Sequence, residues 1–223
     1  MTLKLFIQAL TKFLMGLLLV GLLLFLPAGT FAYPQAWLFT GILFVPMFIA
    51  GIWLMCRQPE LLRKRLSAKE EQSEQKRVVA LSGLLFIAMF VVAGLNFRFG
   101  WLLLPDWTTY AAAGIFMLGY VLYAEVMREN VWLSRTVEVQ ENQQVIDTGL
   151  YGIVRHPMYS ATLIIFLSIP LVLNSVWSFA LMLLYIPIIV KRIRNEEEVL
   201  ERDLAGYKEY KQRVRYRLIP FVW

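Results

Sequence analysis

Four residues in the last third of the chain carry side chains able to hold a polar ligand: Arg155 and His156 together, then Glu196 and Glu197 about forty residues on. A guanidinium binds anions, a carboxylate accepts hydrogen bonds, and an imidazole can donate or accept, so the set offers both signs of charge. Tyr151, Pro157 and Tyr159 flank the first pair. Taken singly, each residue has a plainer explanation. Arg155 could snorkel to a membrane boundary, His156 could cap a helix, and Tyr159 could belong to an interfacial aromatic belt. The glutamates could pair along a helix, Arg192 with Glu196 and Arg194 with Glu198, but Arg before Glu is the less favourable order.

What joins the two pairs is the apolar stretch between them, Pro157 to Val190. It reads as a helical hairpin that turns at Leu173, Asn174 and Ser175. Each arm spans only about 25 Å at 1.5 Å per residue, so a full crossing and a re-entrant or tilted hairpin are both open. Folding the hairpin returns Lys191 to the level of Pro157 and brings both pairs to one polar surface. Proline suits the first helical turn, which puts His156 at a helix mouth where unpaired N–H groups attract anions. After the hairpin, Ile193, Leu200, Leu204 and Tyr207 recur at helical spacing. The gap in that stripe falls on positions 196 and 197, so both carboxylates point toward whatever the apolar face covers.

The elements that must position this set belong to a membrane protein. Of 223 residues, 59% are hydrophobic and 17% charged, more apolar surface than a soluble fold of this size could hide. Besides the hairpin, Phe13 to Phe31, Ala36 to Cys56, Val78 to Phe97 and Trp107 to Met127 lack an internal Lys or Arg and approach the roughly 20 residues a bilayer core demands. The expected fold class is all-α, a polytopic membrane bundle of five to six transmembrane helices, the last two a hairpin, with a cytoplasmic C-terminal helix. Residues 1–127 form a four-helix membrane region with a polar loop at 57–77. Residues 128–223 form a second region of polar loop, hairpin 157–190, C-terminal helix and tail.

With six passes the basic residues segregate: Lys4 and Lys12, seven from Arg57 to Arg77, three from Arg128 to Arg155 and nine from Lys191 onward share one side, and Arg98 alone faces the other. The positive-inside rule puts that side, and both termini, in the cytoplasm, with the cell's inner (plasma) membrane as location. The net charge of +6 then reflects topology and contact with the lipid bilayer, with no nucleic-acid partner. A cleaved signal peptide is the alternative for the first span, given Lys4, Lys12 and the Thr30-Phe31-Ala32 sequence. With one cysteine, Cys56, and one histidine, His156, zinc sites built from Cys and His are excluded and no metal site is expected.

Three stretches near the C-terminus resemble the integral membrane methyltransferases related to isoprenylcysteine carboxyl methyltransferase and the phospholipid methyltransferases. They are TGLYGIV followed by RHPMY (148–159), RIRNEEEVL (192–200) and GYKEYKQRVRYRLIP (206–220). Ala161 stands where many members carry Gly, and Leu204-Ala205-Gly206 stands for a Phe-Gly pair. The resemblance implies S-adenosylmethionine as cofactor, bound at the cytoplasmic mouth, and a lipophilic small-molecule or lipidated substrate. It implies cofactor binding by Tyr151, His156, Pro157, Tyr159, Glu196 and Glu197, with a glutamate on the ribose hydroxyls or the ammonium. Arg155 takes the catalytic role, and Arg155 or His156 holds a carboxylate of cofactor or substrate. Methyl transfer to a carboxylate needs alignment and desolvation more than a base; an amine acceptor would want one, and Glu125 is the candidate. The rival readings are an NADPH-dependent sterol-type reductase, a related family with a similar Arg-His-Pro-x-Tyr run, and a noncatalytic membrane scaffold. A transporter is disfavoured by upstream spans almost devoid of ionisable residues.

Overall fold

A computed structural model describes residues 3–66, 73–133 and 139–223. Lys69, Glu70 and Glu71 of the first polar stretch and Arg135 of the second lie outside the described residues. Among the described residues the secondary structure is helical, with no strand: α1 Leu3–Ala28, α2 Pro34–Arg57, α3 Pro59–Leu66, α4 Ser73–Phe99, α5 Asp106–Glu129, α6 Pro157–Val172, α7 Val176–Leu183, α8 Tyr185–Asp203 and α9 Tyr207–Arg213, with a 3-10 turn at Gly149–Gly152. Helices α1, α2, α4 and α5, and α7 and α8 taken as one rod, are long and apolar enough to cross a bilayer, and α6 is a shorter apolar helix. This is the expected all-α membrane bundle.

Two differences from the sequence expectation bear on the site and its hairpin. Helix α1 begins about ten residues early, so Lys4 and Lys12 ride on the helix instead of preceding it; the Lys12 ammonium donates to the Leu66 carbonyl of α3. The second arm of the hairpin is interrupted at Leu184. Pro187 has no N–H to offer the Leu183 carbonyl, so the ladder breaks there and resumes as α8.

The hairpin reaches the end of the bundle where the long helices are connected. Its turn lies at Leu173 to Ser175, as expected, with Asn174 in the left-handed region at φ 54° that Asn tolerates and Ser175 capping α7 through Ser178 N–H. That turn is bonded to the connections of the other spans. Asn174 Oδ1 accepts from Leu104 N (2.6 Å) and its Nδ2 donates to Leu104 O (3.0 Å), while Asn96 Nδ2 donates to Asn174 O (3.2 Å) and the Tyr33 hydroxyl to Leu173 O (2.7 Å). In an apolar surround these bonds satisfy backbone groups that a turn would otherwise leave unpaired. Trp37, Trp107 and Trp177, in the first turns of α2, α5 and α7, and Trp101, in the loop after α4, are exposed, as befits an interfacial belt.

Glycine sets the closest helix contacts. A Cβ on Gly119 of α5 would lie 2.6 Å from Ile165 Cγ1 of α6, and one on Gly94 of α4 would lie 2.6 Å from the Leu24 carbonyl of α1. Small residues let membrane helices approach until dispersion between backbones is large. The core these contacts enclose runs through Leu24, Phe39, Met89, Phe116, Ile165, Val172, Met182 and Ile189. It ends, at the end of the bundle opposite the hairpin turn, in polar residues.

Candidate active site

At that end α6 enters the bundle and α8 leaves it, and the two motifs meet. Pro157 opens α6, with His156 as the preceding cap residue whose carbonyl accepts from Tyr159 N and Ser160 N. On α8, Ile193 is fully buried and Glu197, one turn on, replaces the next apolar residue at 3% exposure. Arg155 Nε donates to Glu197 Oε1 at 2.7 Å, and His156 Nε2 lies 3.3 Å from the same oxygen. The other oxygen accepts from Arg217 Nε at 2.8 Å. A carboxylate only accepts, so in the neutral ring the proton sits on Nε2 and the Nδ1 lone pair faces Glu196, whose Oε1 is 4.0 Å away.

Glu196 differs from its neighbour. Its side chain is 24% exposed against 4% for Glu197. The Tyr159 hydroxyl donates to Glu196 Oε2 and itself accepts from Arg192 Nε at 2.9 Å. Glu197 is thus saturated by protein groups, whereas Glu196 stays partly exposed.

The tail following α9 completes the site by backbone contacts that no side-chain pattern announces. Arg155 N donates to Tyr216 O and His156 N to Arg217 O, both at 2.9 Å, and Arg155 Nη1 forks between the carbonyls of Val214 (2.7 Å) and Arg215 (2.8 Å). Ser160 Oγ donates to Leu218 O at 2.7 Å, and the Arg217 guanidinium lies 5.0 Å from the Trp223 ring centroid. Tyr151, buried in the 3-10 turn, accepts from Asn130 Nδ2 at its hydroxyl (2.9 Å) and from the Tyr210 hydroxyl at its carbonyl (2.8 Å). Burial pushes the hydroxyls of Tyr151, Tyr207 and Tyr210 up, so all three stay protonated. The turn is pinned from α5: Glu129 Oε2 accepts from Leu150 N at 3.1 Å, and Gly149, at φ 50°, leaves the space that the Glu129 carboxylate fills.

All seven residues singled out in the sequence gather at this end. Arg217, Arg192, Asn130, Glu129 and Tyr210 were not singled out as site residues. Arg217 and Tyr210 lie in the tail stretch that carries the family resemblance, but nothing in the spacing of Asn130 or Glu129 signals them. Arg65, from a stretch with no evident chemistry, comes to the site's edge, where it bonds the Tyr123 hydroxyl with its guanidinium 5.2 Å from that ring. Glu125 is taken up by Arg128 through contacts of 2.9 and 2.6 Å.

Residues 107–205, which include all but the first residue of α5 and the whole of α6, α7 and α8, match the family model described as phospholipid methyltransferase. This stretch is phospholipid methyltransferase-like. Across the chain, the fold is similar to the solved structure of the eukaryotic intramembrane Ras methyltransferase ICMT (isoprenylcysteine carboxyl methyltransferase). The TM-score is 0.56 at 20% identity, over 91% of this chain and 74% of that one. The Delta(14)-sterol reductase TM7SF2 of Mus musculus is 33% identical over 91 residues, 40% of this chain and 22% of the reductase. The chain therefore spans about a fifth of the length of that curated relative. The phospholipid methyltransferase-like region contains both the Arg-His motif and the glutamate pair.

The residues present suit the cofactor such enzymes take. An adenosyl sulfonium carries a ribose diol, an ammonium and a carboxylate, and here stand a part-exposed carboxylate, an imidazole nitrogen, guanidiniums and tyrosine rings.

Proposed function

We propose that this integral membrane protein is an S-adenosylmethionine-dependent methyltransferase acting on a lipophilic acceptor at the polar end of its bundle. The observation that carries the reading is the Arg155–Glu197 contact of 2.7 Å, which joins the entry and exit of the hairpin inside the family-matched region. When bound, the cofactor supplies an electrophilic methyl group on sulfur. Glu196, Tyr159 and the His156 Nδ1 edge bind and orient the polar groups of that ligand. Tyr151 and Pro157 shape the nucleoside wall. Arg155 has Nε and Nη1 committed to Glu197 and the tail, so its remaining nitrogen, Nη2, reaches a carboxylate of cofactor or acceptor. Glu197 holds Arg155, His156 and Arg217 in register. Such an arrangement aligns reactants and excludes water, which is what displacement at a methyl carbon by a carboxylate demands.

The acceptor enters from the bilayer, and an isoprenylcysteine-type carboxylate or a lipid headgroup fits the chemistry. The division of labour near residue 128, with upstream helices as lipid-facing wall, belongs to this reading, as does a cytoplasmic location for the charged end in an inner or plasma membrane. Label from a methyl-labelled cofactor should appear in lipid extracts or in lipidated protein of membranes carrying the protein, and its absence from all fractions would count against the assignment.

The sterol reductase similarity keeps a second reading, NADPH-dependent reduction, in view. Against it, no Asn follows Pro157 and no Gly-Glu follows Tyr159. Calorimetry of the detergent-purified protein separates the two: adenosylmethionine binding is expected, and NADPH binding without it would overturn the proposal.

A further inference from the structure

Helix α9 presents two buried tyrosines one turn apart, Tyr207 at 4% exposure and Tyr210 at 2%, with ring centroids 5.7 Å apart. They sit in one apolar cluster with Leu204, Val214, Val145 and Leu200. The fold satisfies one of them: the Tyr210 hydroxyl donates to the Tyr151 carbonyl. The Tyr207 oxygen is equally shut from water and has no hydrogen-bond partner among the described residues. An orphaned buried hydroxyl bears the full cost of its lost hydration, and Phe would fill the same space without it. The charges within electrostatic reach of that oxygen are Glu197, Glu196 and Arg155, the polar centre of the site.

We infer that Tyr207 is a further cofactor-binding residue, its hydroxyl reserved for a hydrogen bond to the bound adenosyl compound. This rests on the methyltransferase reading above. The cofactor is favoured over the acceptor because the groups within electrostatic reach of the hydroxyl include Glu196, the carboxylate that reading assigns to the cofactor, and because α9 lies beyond the membrane-crossing helices.

The test is Tyr207→Phe in the full chain, purified in detergent, with two readouts: calorimetric affinity for S-adenosylmethionine and S-adenosylhomocysteine, and the melting temperature without ligand. Loss of one ligand hydrogen bond weakens both affinities about tenfold. The ligand-free variant should melt at or above the parent's temperature, since the substitution removes an unsatisfied group. A purely structural tyrosine, or one bonded to a buried water, would give the reverse pattern of a lower melting temperature with unchanged affinity. Unchanged affinity in the variant beside normal binding by the parent overturns this inference alone. Failure of the parent to bind either adenosyl compound overturns the methyltransferase reading, and the inference falls with it.

Discussion

Adjacent glutamates on α8 have different surroundings, and under the proposed function they divide two tasks. Glu197 faces two guanidiniums and an imidazole with almost no solvent, so its charge is matched by the protein itself. Removing one member of a buried ion cluster strands the others, and Glu197→Gln should cost about 3 kcal/mol of stability as well as cofactor binding. Thermal unfolding in detergent would register it. Glu196→Gln should leave the unfolding temperature within a degree or two while weakening adenosylmethionine binding, because that side chain is partly exposed and retains its Tyr159 partner. Equal behaviour of the two variants in both measurements would contradict the division. At Gly149, alanine meets both an unfavourable positive φ and the Glu129 carboxylate, 1.6 Å from the position a Cβ would take. Gly149→Ala should destabilise by roughly 1–3 kcal/mol, seen as a lower melting temperature.

Among the elements, the pairing of α5 with α6 sets the position of the Arg-His motif. Gly119→Val would drive a branched side chain into Ile165 and part the two helices, at a cost of about 2 kcal/mol; retained stability with full cofactor binding would show that α6 does not depend on that contact. The hairpin was legible in the sequence because Asn174 and Ser175 interrupt an apolar run at a position that leaves two arms of matched length. The inward direction of Glu197 was legible from the stripe of Ile193, Leu200 and Leu204. Other features left no such trace. Lys4 and Lys12 read as flanking charges because hydropathy cannot tell a helix that starts in water from one that starts at the membrane surface. The docking of residues 214–217 on Arg155 and His156 runs through the carbonyls of that segment, groups every residue shares, so no residue pattern reveals it. Arg217 was one of nine basic residues after the hairpin, and only the fold singles it out.

For the whole molecule, the hydrogen bonds of the hairpin turn to the connections at 29–33 and 100–105 define one end of the bundle. The Arg155–Glu197 centre and the described basic residues other than Arg98 define the other. In a Cys56→Ser background, single cysteines at Phe31 and at Glu209 should therefore react with an impermeant maleimide from opposite faces of sealed vesicles. Labelling from the same face would contradict the topology. The strap of residues 214–217 carries one more consequence, in time as well as in space. The membrane-crossing helices described above precede it in order of synthesis, so they can be inserted while the ribosome still shields the segment that orders Arg155. On the proposed function, a chain released before residue 214 would enter the bilayer with Arg155 and Glu197 short of their tail partners, and should bind no adenosyl compound.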